Sequence, residues 1–273
     1  MKTVLVTGCS SGYGLATAAH FLEQGWNVVA TMRAPQKAPS LPTSERLSLQ
    51  RLDVTDRDSI DEAIRNALAA FGGIDVLVNN AGIGLFGAFE ATPDRTIREV
   101  FETNTFGVMA VAQAIVPYFR ERRAGTLVNV TSSVGIVPMP LVSVYTASKL
   151  AIEGFTEALS YELAAFGVRT KIVQPGYAPT TRFTANGSER MSGLVPEAYG
   201  PYADQLLRGH AAGKTSSELD VARAVMLAAT DESPRLRYPA GADAEDLAAM
   251  RQASRGEDYL ATMRAIVGPK SGA

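Results

Sequence analysis

The chain has 273 residues, 46% of them hydrophobic and 20% charged, with a formal net charge of -2. That composition suits a folded chain able to bury a large core, and it gives no electrostatic footprint for nucleic acid or an anionic membrane. Cys9 is the single cysteine and His20 and His210 are the two histidines, which excludes an intramolecular disulfide and a Cys/His zinc site and fits a reducing compartment. The N-terminal apolar run is too short for a signal sequence. The most apolar stretch, residues 107–119, contains Gln113 and Pro117 and is too short to span a membrane. The expectation is a cytoplasmic protein with no membrane attachment.

Thr3 to Val6 is a short β-type run, followed by a glycine-rich turn and a helical stretch over residues 15–24 that Gly25 closes. Residues 26–31 predict a second strand and residues 47–52 a weaker third. Ile60, Ala63, Ile64, Ala67 and Leu68 recur at helical spacing within residues 56–71, and Gly72-Gly73 stops them. Residues 75–79 read as a buried strand. Residues 94–119 hold one or two helices starting after Pro93. Residues 126–130 are a strand, 145–166 a long helix and 168–173 a further strand. Residues 181–214 read as a long irregular segment with scattered Phe183, Met191, Leu194, Tyr199, Tyr202 and Leu206, the pattern of a lid. Ser217 and Asp220 then open a helix in capping-box fashion. Beyond Tyr238 the chain ends in a helical tail over residues 243–267. Strands alternating with helices predict an α/β fold, one parallel sheet with helices on both faces. We read residues 1–273 as one domain, with a lid over about 180–215 and a tail over about 242–273.

The first turn reads Thr7-Gly8-Cys9-Ser10-Ser11-Gly12-Tyr13-Gly14. It directly follows a strand and opens a helix, whose free N–H groups and positive dipole end suit a phosphate. Glycine there lets the backbone approach a dinucleotide pyrophosphate. The competing reading is a glycine turn without ligand; strand and helix context favours binding. Cys9 reads as a small filler. At the end of the second strand an acid would hold a ribose 2′-hydroxyl. Ala30-Thr31-Met32-Arg33 has no acid, and Arg33 suits a 2′-phosphate. NADP(H) is therefore expected over NAD(H), against the reading of Arg33 as a solvated strand-end residue.

Tyr145 and Lys149 are four apart in a helical run and share a face. A lysine ammonium favours tyrosinate, and moving a phenol from about 10 to near 7 takes about 4 kcal/mol. A phenol so tuned can exchange a proton with a substrate oxygen. Alone, such a pair recurs on many helices as a solvated couple, so its surroundings decide.

Those surroundings form an ordered set. Thr7-Gly8 through Gly12-Tyr13-Gly14, Asp53-Val54, Asn79-Asn80-Ala81-Gly82, Asn104 with Gly107, Thr131-Ser132-Ser133-Val134-Gly135, Tyr145-Thr146-Ala147-Ser148-Lys149 and Pro175-Gly176 with Thr180 stand at successive strand and helix edges. Together they resemble the short-chain dehydrogenase/reductase family in its one-domain Rossmann form, over residues 3 to about 180. The resemblance implies hydride exchange between a nicotinamide nucleotide and an alcohol or ketone. It implies Tyr145 as general acid/base, Lys149 as the group that lowers its pKa and holds the nicotinamide ribose, and Ser132 as hydrogen-bond partner of the substrate oxygen. Ser132, thirteen residues before Tyr145, is preferred to Ser133 on the family's usual gap. Asn104 would anchor a water behind Lys149. Cofactor contacts are implied for Gly8, Ser10, Ser11, Gly12, Tyr13, Gly14, Arg33, Asp53, Val54, Asn80, Ala81, Gly82, Tyr145, Lys149, Pro175, Gly176, Ala178 and Thr180, and no metal. Tyr13 stands where the family usually has Ile or Leu, and Ala178 and Pro179 depart from its usual turn. The loop and strand end are similar to the subset holding 17β-hydroxysteroid dehydrogenase type 1 and retinol dehydrogenases, which implies a bulky apolar substrate. A silent NADP-sensing regulator, or an epimerase or dehydratase on the same fold, are the competing functions. The long tail could cover a surface that other members use for tetramer contacts, so that monomer, homodimer and homotetramer are all open.

Overall fold

The computed structural model describes residues 1–37, 41–181, 183–254 and 256–269. Seven strands run parallel in the order β3-β2-β1-β4-β5-β6-β7. They are β1 Thr3–Val6, β2 Asn27–Met32, β3 Leu47–Arg51, β4 Val76–Asn79, β5 Gly125–Val130, β6 Val168–Pro175 and β7 Arg237–Ala240. The helices are α1 Gly12–Glu23, α2 Arg57–Phe71, α3 Asp94–Phe101, α4 Gly107–Arg122, α5 Ser143–Ala164, α6 Phe183–Met191, α7 Gly200–Ala212, α8 Glu218–Thr230, α9 Ala242–Ala253 and α10 Gly256–Val267.

The two-residue period of a strand sorts the core into two layers. Val4, Val6, Val28, Ala30, Val76, Val78, Val128 and Val130 face one side, where Ala18 and Phe21 of α1 and Val221 and Val225 of α8 cover them. Leu5, Val29, Leu77 and Leu127 face the other, against Ile60 and Ile64 of α2 and Val111 and Ile115 of α4. Both faces are thus covered, which is why the strands read as unbroken apolar runs. α2 starts where Asp56 accepts from the Ser59 N–H at 3.2 Å and ends at Gly72, whose φ of 72° is left-handed. The expected pair of helices over 94–119 is α3 and α4, joined by a π-helical turn, Glu102–Phe106.

Two expectations need correction. The segment over residues 181–214 is not irregular: it contains α6 and α7, and among its described residues Met191 and Leu194 pack with Leu85 and Val144, while Ala203 and Leu206 pack with Ala88 and Leu141. Tyr238 does not merely precede a tail: it lies in β7, a seventh strand on the sheet edge. The strand order reverses between β1 and β4, and a crevice at the carboxyl ends of the strands is where such a fold places its site.

Candidate active site

The turn after β1 is fixed to two neighbouring strand ends. Cys9 N–H donates to Thr31 O at 2.9 Å, and the Asn80 and Ala81 N–H groups both donate to Thr7 Oγ1 at 3.0 Å. Asn80 Nδ2 reaches Thr7 O at 2.9 Å. Gly8 and Gly14 are required by this packing: a Cβ on Gly8 would stand 2.8 Å from Ala81 Cα, and one on Gly14 would overlap Gly8 O and Asn80 Nδ2. Gly12 has φ 56°, which favours glycine. Ser11, the N-cap of α1, makes no side-chain cap bond, and the first turn of α1 holds no acid. The leading N–H groups of α1 thus have no side-chain acceptor or carboxylate of the cap competing for them, and exposed Ser10 stands beside them. This donor set fits a dinucleotide pyrophosphate. Cys9 is fully buried with its thiol pushed up to about 12 by burial, so it is a filler and not a nucleophile.

Arg33 is exposed just beyond β2. Glu99 on α3 lies within reach of its charge, but Glu99 is held below the usual carboxylate range first by its 2.6 Å bond to Arg190 of α6, with Arg33 and Arg95 adding to it. Asp53 accepts from Thr55 N and Oγ1 through Oδ1 at 3.1 and 2.8 Å, leaving Oδ2 for a ligand, and Val54 is buried beside it.

At the end of β5, Ser132 Oγ accepts from Val134 N–H at 3.3 Å and hydrogen-bonds the Tyr145 phenol. Lys149 Nζ lies 5.8 Å from the Tyr145 ring centre and donates to Val130 O at 3.2 Å. Asn104 sits in the π-helical turn with no exposure; its Oδ1 accepts from Ile83 N at 2.8 Å and its Nδ2 serves Ile83 O at 2.9 Å and Ser148 Oγ at 3.2 Å. Both amide protons are committed, so this side chain fixes the strand-four loop against α5. Gly82 lets the parts meet: a Cβ there would lie 3.2 Å from Asn104 Oδ1 and 3.4 Å from Lys149 Nζ.

The electrostatics differ from the expected lowering of the tyrosine pKa. Burial pushes the Tyr145 phenol up to about 12, opposed by the Ser132 hydrogen bond, and burial pulls Lys149 down to about 8, opposed by Glu153. Loss of hydration outweighs the local attraction for both groups.

The turn after β6 is clamped by Tyr13 and Thr180, and by Asp243, Ser216 and Glu218, which the sequence did not tie to this turn. Tyr13 OH donates to Gly176 O at 2.9 Å, which accounts for a tyrosine in that position. Asp243 of α9 accepts from Tyr177 N–H at 2.6 Å and from Ser216 Oγ at 2.5 Å. Thr180 Oγ1 donates to Glu218 Oε2 at 2.8 Å, while Ala178 is buried. The structure therefore gathers Asn104, Ser132, Tyr145, Lys149, Gly82 and the Pro175-Gly176 turn at one end of the sheet, with Arg33 and Asp53 farther out along β2 and β3. Among the described residues no cluster of acids, histidines and cysteine could hold a metal, and no helix is long and apolar enough to cross a membrane.

A family model for short chain dehydrogenases matches residues 2–191. Retinol dehydrogenase 8 of Bos taurus is 35% identical over 255 residues, covering 86% of this chain and 80% of that protein. The 3-ketodihydrosphingosine reductase of Bacteroides thetaiotaomicron is 38% identical over 211 residues, covering 76% and 74%. Among solved structures, a short-chain dehydrogenase from Streptomyces avermitilis is 34% identical with a TM-score of 0.80, covering 97% of each chain. ElxO with NADP bound is 28% identical with a TM-score of 0.73, covering 87% of this chain and 97% of that one. The chain belongs to the short-chain dehydrogenase family and is an oxidoreductase with a nicotinamide-nucleotide fold.

Proposed function

We propose that this protein is an NADP(H)-dependent oxidoreductase interconverting a secondary alcohol and a ketone, or the corresponding primary alcohol and aldehyde, on a bulky apolar substrate. The observation that carries the reading is the meeting of Ser132, Tyr145 and Lys149 at the end of β5, with the uncapped start of α1 and the Pro175-Gly176 turn beside them. The residues that would hold the nucleotide are Gly8, Ser10, Ser11, Gly12 and Gly14 at the pyrophosphate, Arg33 at a 2′-phosphate, Asp53 and Val54 at the adenine, and Asn80, Ala81, Gly82, Lys149, Gly176, Ala178 and Thr180 toward the nicotinamide. When bound, the nicotinamide supplies or accepts the hydride.

The chain does the proton chemistry. In the reductive direction Ser132 Oγ–H and Tyr145 O–H both donate to the carbonyl oxygen, and Tyr145 gives up its proton as that oxygen becomes a hydroxyl. The Lys149 ammonium stabilises the resulting phenolate, and a solvent proton restores the phenol. Asn104 holds the loop bearing Gly82 in place. Ile83, Leu85, Val144, Met191 and Leu194 pack around Tyr145 as an apolar wall. Such a wall suits a hydrophobic substrate, in keeping with relatives named for retinol and 3-ketodihydrosphingosine. The reading takes residues 1–273 as one catalytic unit in the cytoplasm, with the lid over 180–215 closing on the substrate.

The test is loss of absorbance at 340 nm with NADPH and a panel of apolar ketones, compared with NADH. Arg33→Ala should weaken NADPH binding about 10- to 100-fold and leave NADH within about 3-fold, since one charge-assisted hydrogen bond is worth about 1.5–3 kcal/mol. Equal losses for both nucleotides would reject the NADP(H) assignment; no turnover with any carbonyl would reject the reaction.

A further inference from the structure

One turn beyond Lys149, α5 carries a second buried charge. Glu153 is 4% exposed. Its Oε1 accepts from Thr131 Oγ1 at 3.0 Å and Gln174 Nε2 at 2.8 Å, and its Oε2 faces Arg237 Nε of β7 at 3.4 Å. Arg237 also holds Glu157 at 2.6 Å. Lys149 and Glu153 therefore grip consecutive residues at the end of β5, Val130 through its carbonyl and Thr131 through its hydroxyl, and the next residue is Ser132. Gly135, in the turn that follows, is glycine because a Cβ would overlap Glu153 Oε1.

A helix-to-strand clamp alone needs only a neutral acceptor, and a buried carboxylate carries a desolvation cost that an amide or hydroxyl avoids. Arg237 is one partner of that charge, and Lys149, one turn back on the same helix and equally buried, is a second cation beside it. We propose that Glu153 is a positioning residue for the reaction: its bond to Thr131 sets where Ser132 stands, it places a buried counter-charge one helical turn from Lys149, and Arg237 shares that charge from the sheet edge. This rests on Tyr145 and Lys149 being the proton-transfer pair.

The groups around this file can be named from each element. α5 supplies Tyr145, Lys149 and Glu157, β7 supplies Arg237, and β5 and β6 supply the neutral Thr131 and Gln174. Burial lowers the Lys149 pKa and Glu153 opposes it. Taking away the Glu153 charge lets burial act alone, so the lysine loses its proton at lower pH. Taking away Arg237 removes a competing cation, so the lysine keeps its proton to higher pH. The two variants should move Lys149 in opposite directions.

The experiment uses full-length protein labelled with ε-13C lysine. The Lys149 resonance is identified by its absence in K149M and titrated by NMR in wild type, E153Q and R237Q, alongside the pH profile of kcat/KM for NADPH-dependent ketone reduction. The Lys149 midpoint should fall by about 1 pH unit or more in E153Q and rise in R237Q, with the alkaline limb of the profile following each. A Lys149 midpoint unmoved in both variants, with turnover lowered by one factor at every pH, would overturn the proposal and leave Glu153 a mechanical clamp. Midpoints that shift as expected while the alkaline limb stays fixed would keep the Glu153–Lys149 coupling and reject Lys149 as the proton-transfer partner. Should E153Q not fold, R237Q decides: Arg237 is half-exposed, and an unmoved or lowered Lys149 midpoint there overturns the proposal.

Discussion

At Tyr145 a hydrogen bond from the serine side and a deep position act against each other. Burial favours the neutral phenol, which is the form a proton donor needs, and the Ser132 bond aims it. Ser132 Oγ is the hydroxyl that touches the phenol, whereas Ser133 begins the short turn beyond it. Ser132→Ala should therefore lower kcat about 100-fold, within the range for a positioned proton-transfer or oxyanion partner, while Ser133→Ala stays within about 3-fold. Equal effects in steady-state kinetics would show that the two serines share the role. Tyr13 makes a subtler contribution. Its hydroxyl, with its proton held by burial and by nearby Tyr145, Asp243 and Glu218, donates to Gly176 O. Tyr13→Phe should weaken NADPH binding about 2- to 10-fold in fluorescence titration, the worth of one net hydrogen bond. An unchanged Kd would mean that the bond does not shape the nicotinamide turn. Tyr145, Lys149 and Ser132 were legible in sequence because their pattern is short-range and ordered among other motifs. The Tyr13–Gly176 and Asp243–Tyr177 bonds were not, because their partners lie 163 and 66 residues apart and no local periodicity records them.

Secondary elements show the same division. α8 announced itself through Ser217 and Asp220, and both halves of that capping box form, with Asp220 N–H donating to Ser217 Oγ at 3.1 Å and Ser217 N–H to Asp220 Oδ2 at 2.9 Å. α6 and α7 lie in a stretch with Gly187, Gly193, Pro196, Gly200, Pro201 and Gly209, which argue against helix locally. They form because Met191, Leu194, Ala203 and Leu206 find apolar partners on the body, a tertiary effect that composition hides. β7 escaped notice since it is four residues long with Pro239 inside, a sequence tolerated on a sheet edge. The packing of α1 on the strand-four end gives the element-scale prediction. Gly14→Ala would drive a methyl into Gly8 O and Asn80 Nδ2, and the loop could give way only by breaking its bonds to Thr7. Overpacking of this kind costs about 1–3 kcal/mol. The variant should show a lowered Tm and lose NADPH binding by more than about 30-fold, because the displaced element is the one that presents the phosphate donors. A normal Kd would mean that the phosphates are held elsewhere.

Across the whole molecule the tail connects regions distant in sequence. Tyr259 and Met263 of α10 pack with Ile136 and Val137, which follow the Ser132 strand end. Tyr202 OH of the lid helix α7 donates to Val267 O at 2.5 Å and Gln205 Nε2 donates to Gly268 O at 2.9 Å. α10 thus ties α7 to the loop that follows Ser132, while the glycine-rich turn, Arg33 and α1 lie in the other half of the sheet. A chain ended at Ser254 loses two large side chains from a buried cluster, about 1.5–3 kcal/mol each as an upper figure. It should still fold, with a lower Tm, since both main core layers are built without α10. Its NADPH Kd should stay within about 3-fold of the full chain, and its KM for an apolar ketone should rise at least about 10-fold, since a lid that closes loosely leaves the substrate wet. The comparison separates two accounts of the tail. If NADPH and ketone binding weaken by the same factor, α10 stabilises the whole fold and does not serve the lid. If KM alone rises, the length of the tail is explained by the substrate it helps enclose, and a chain carrying Tyr202→Phe, which removes one lid-to-tail bond and little buried area, should show the same change in smaller measure.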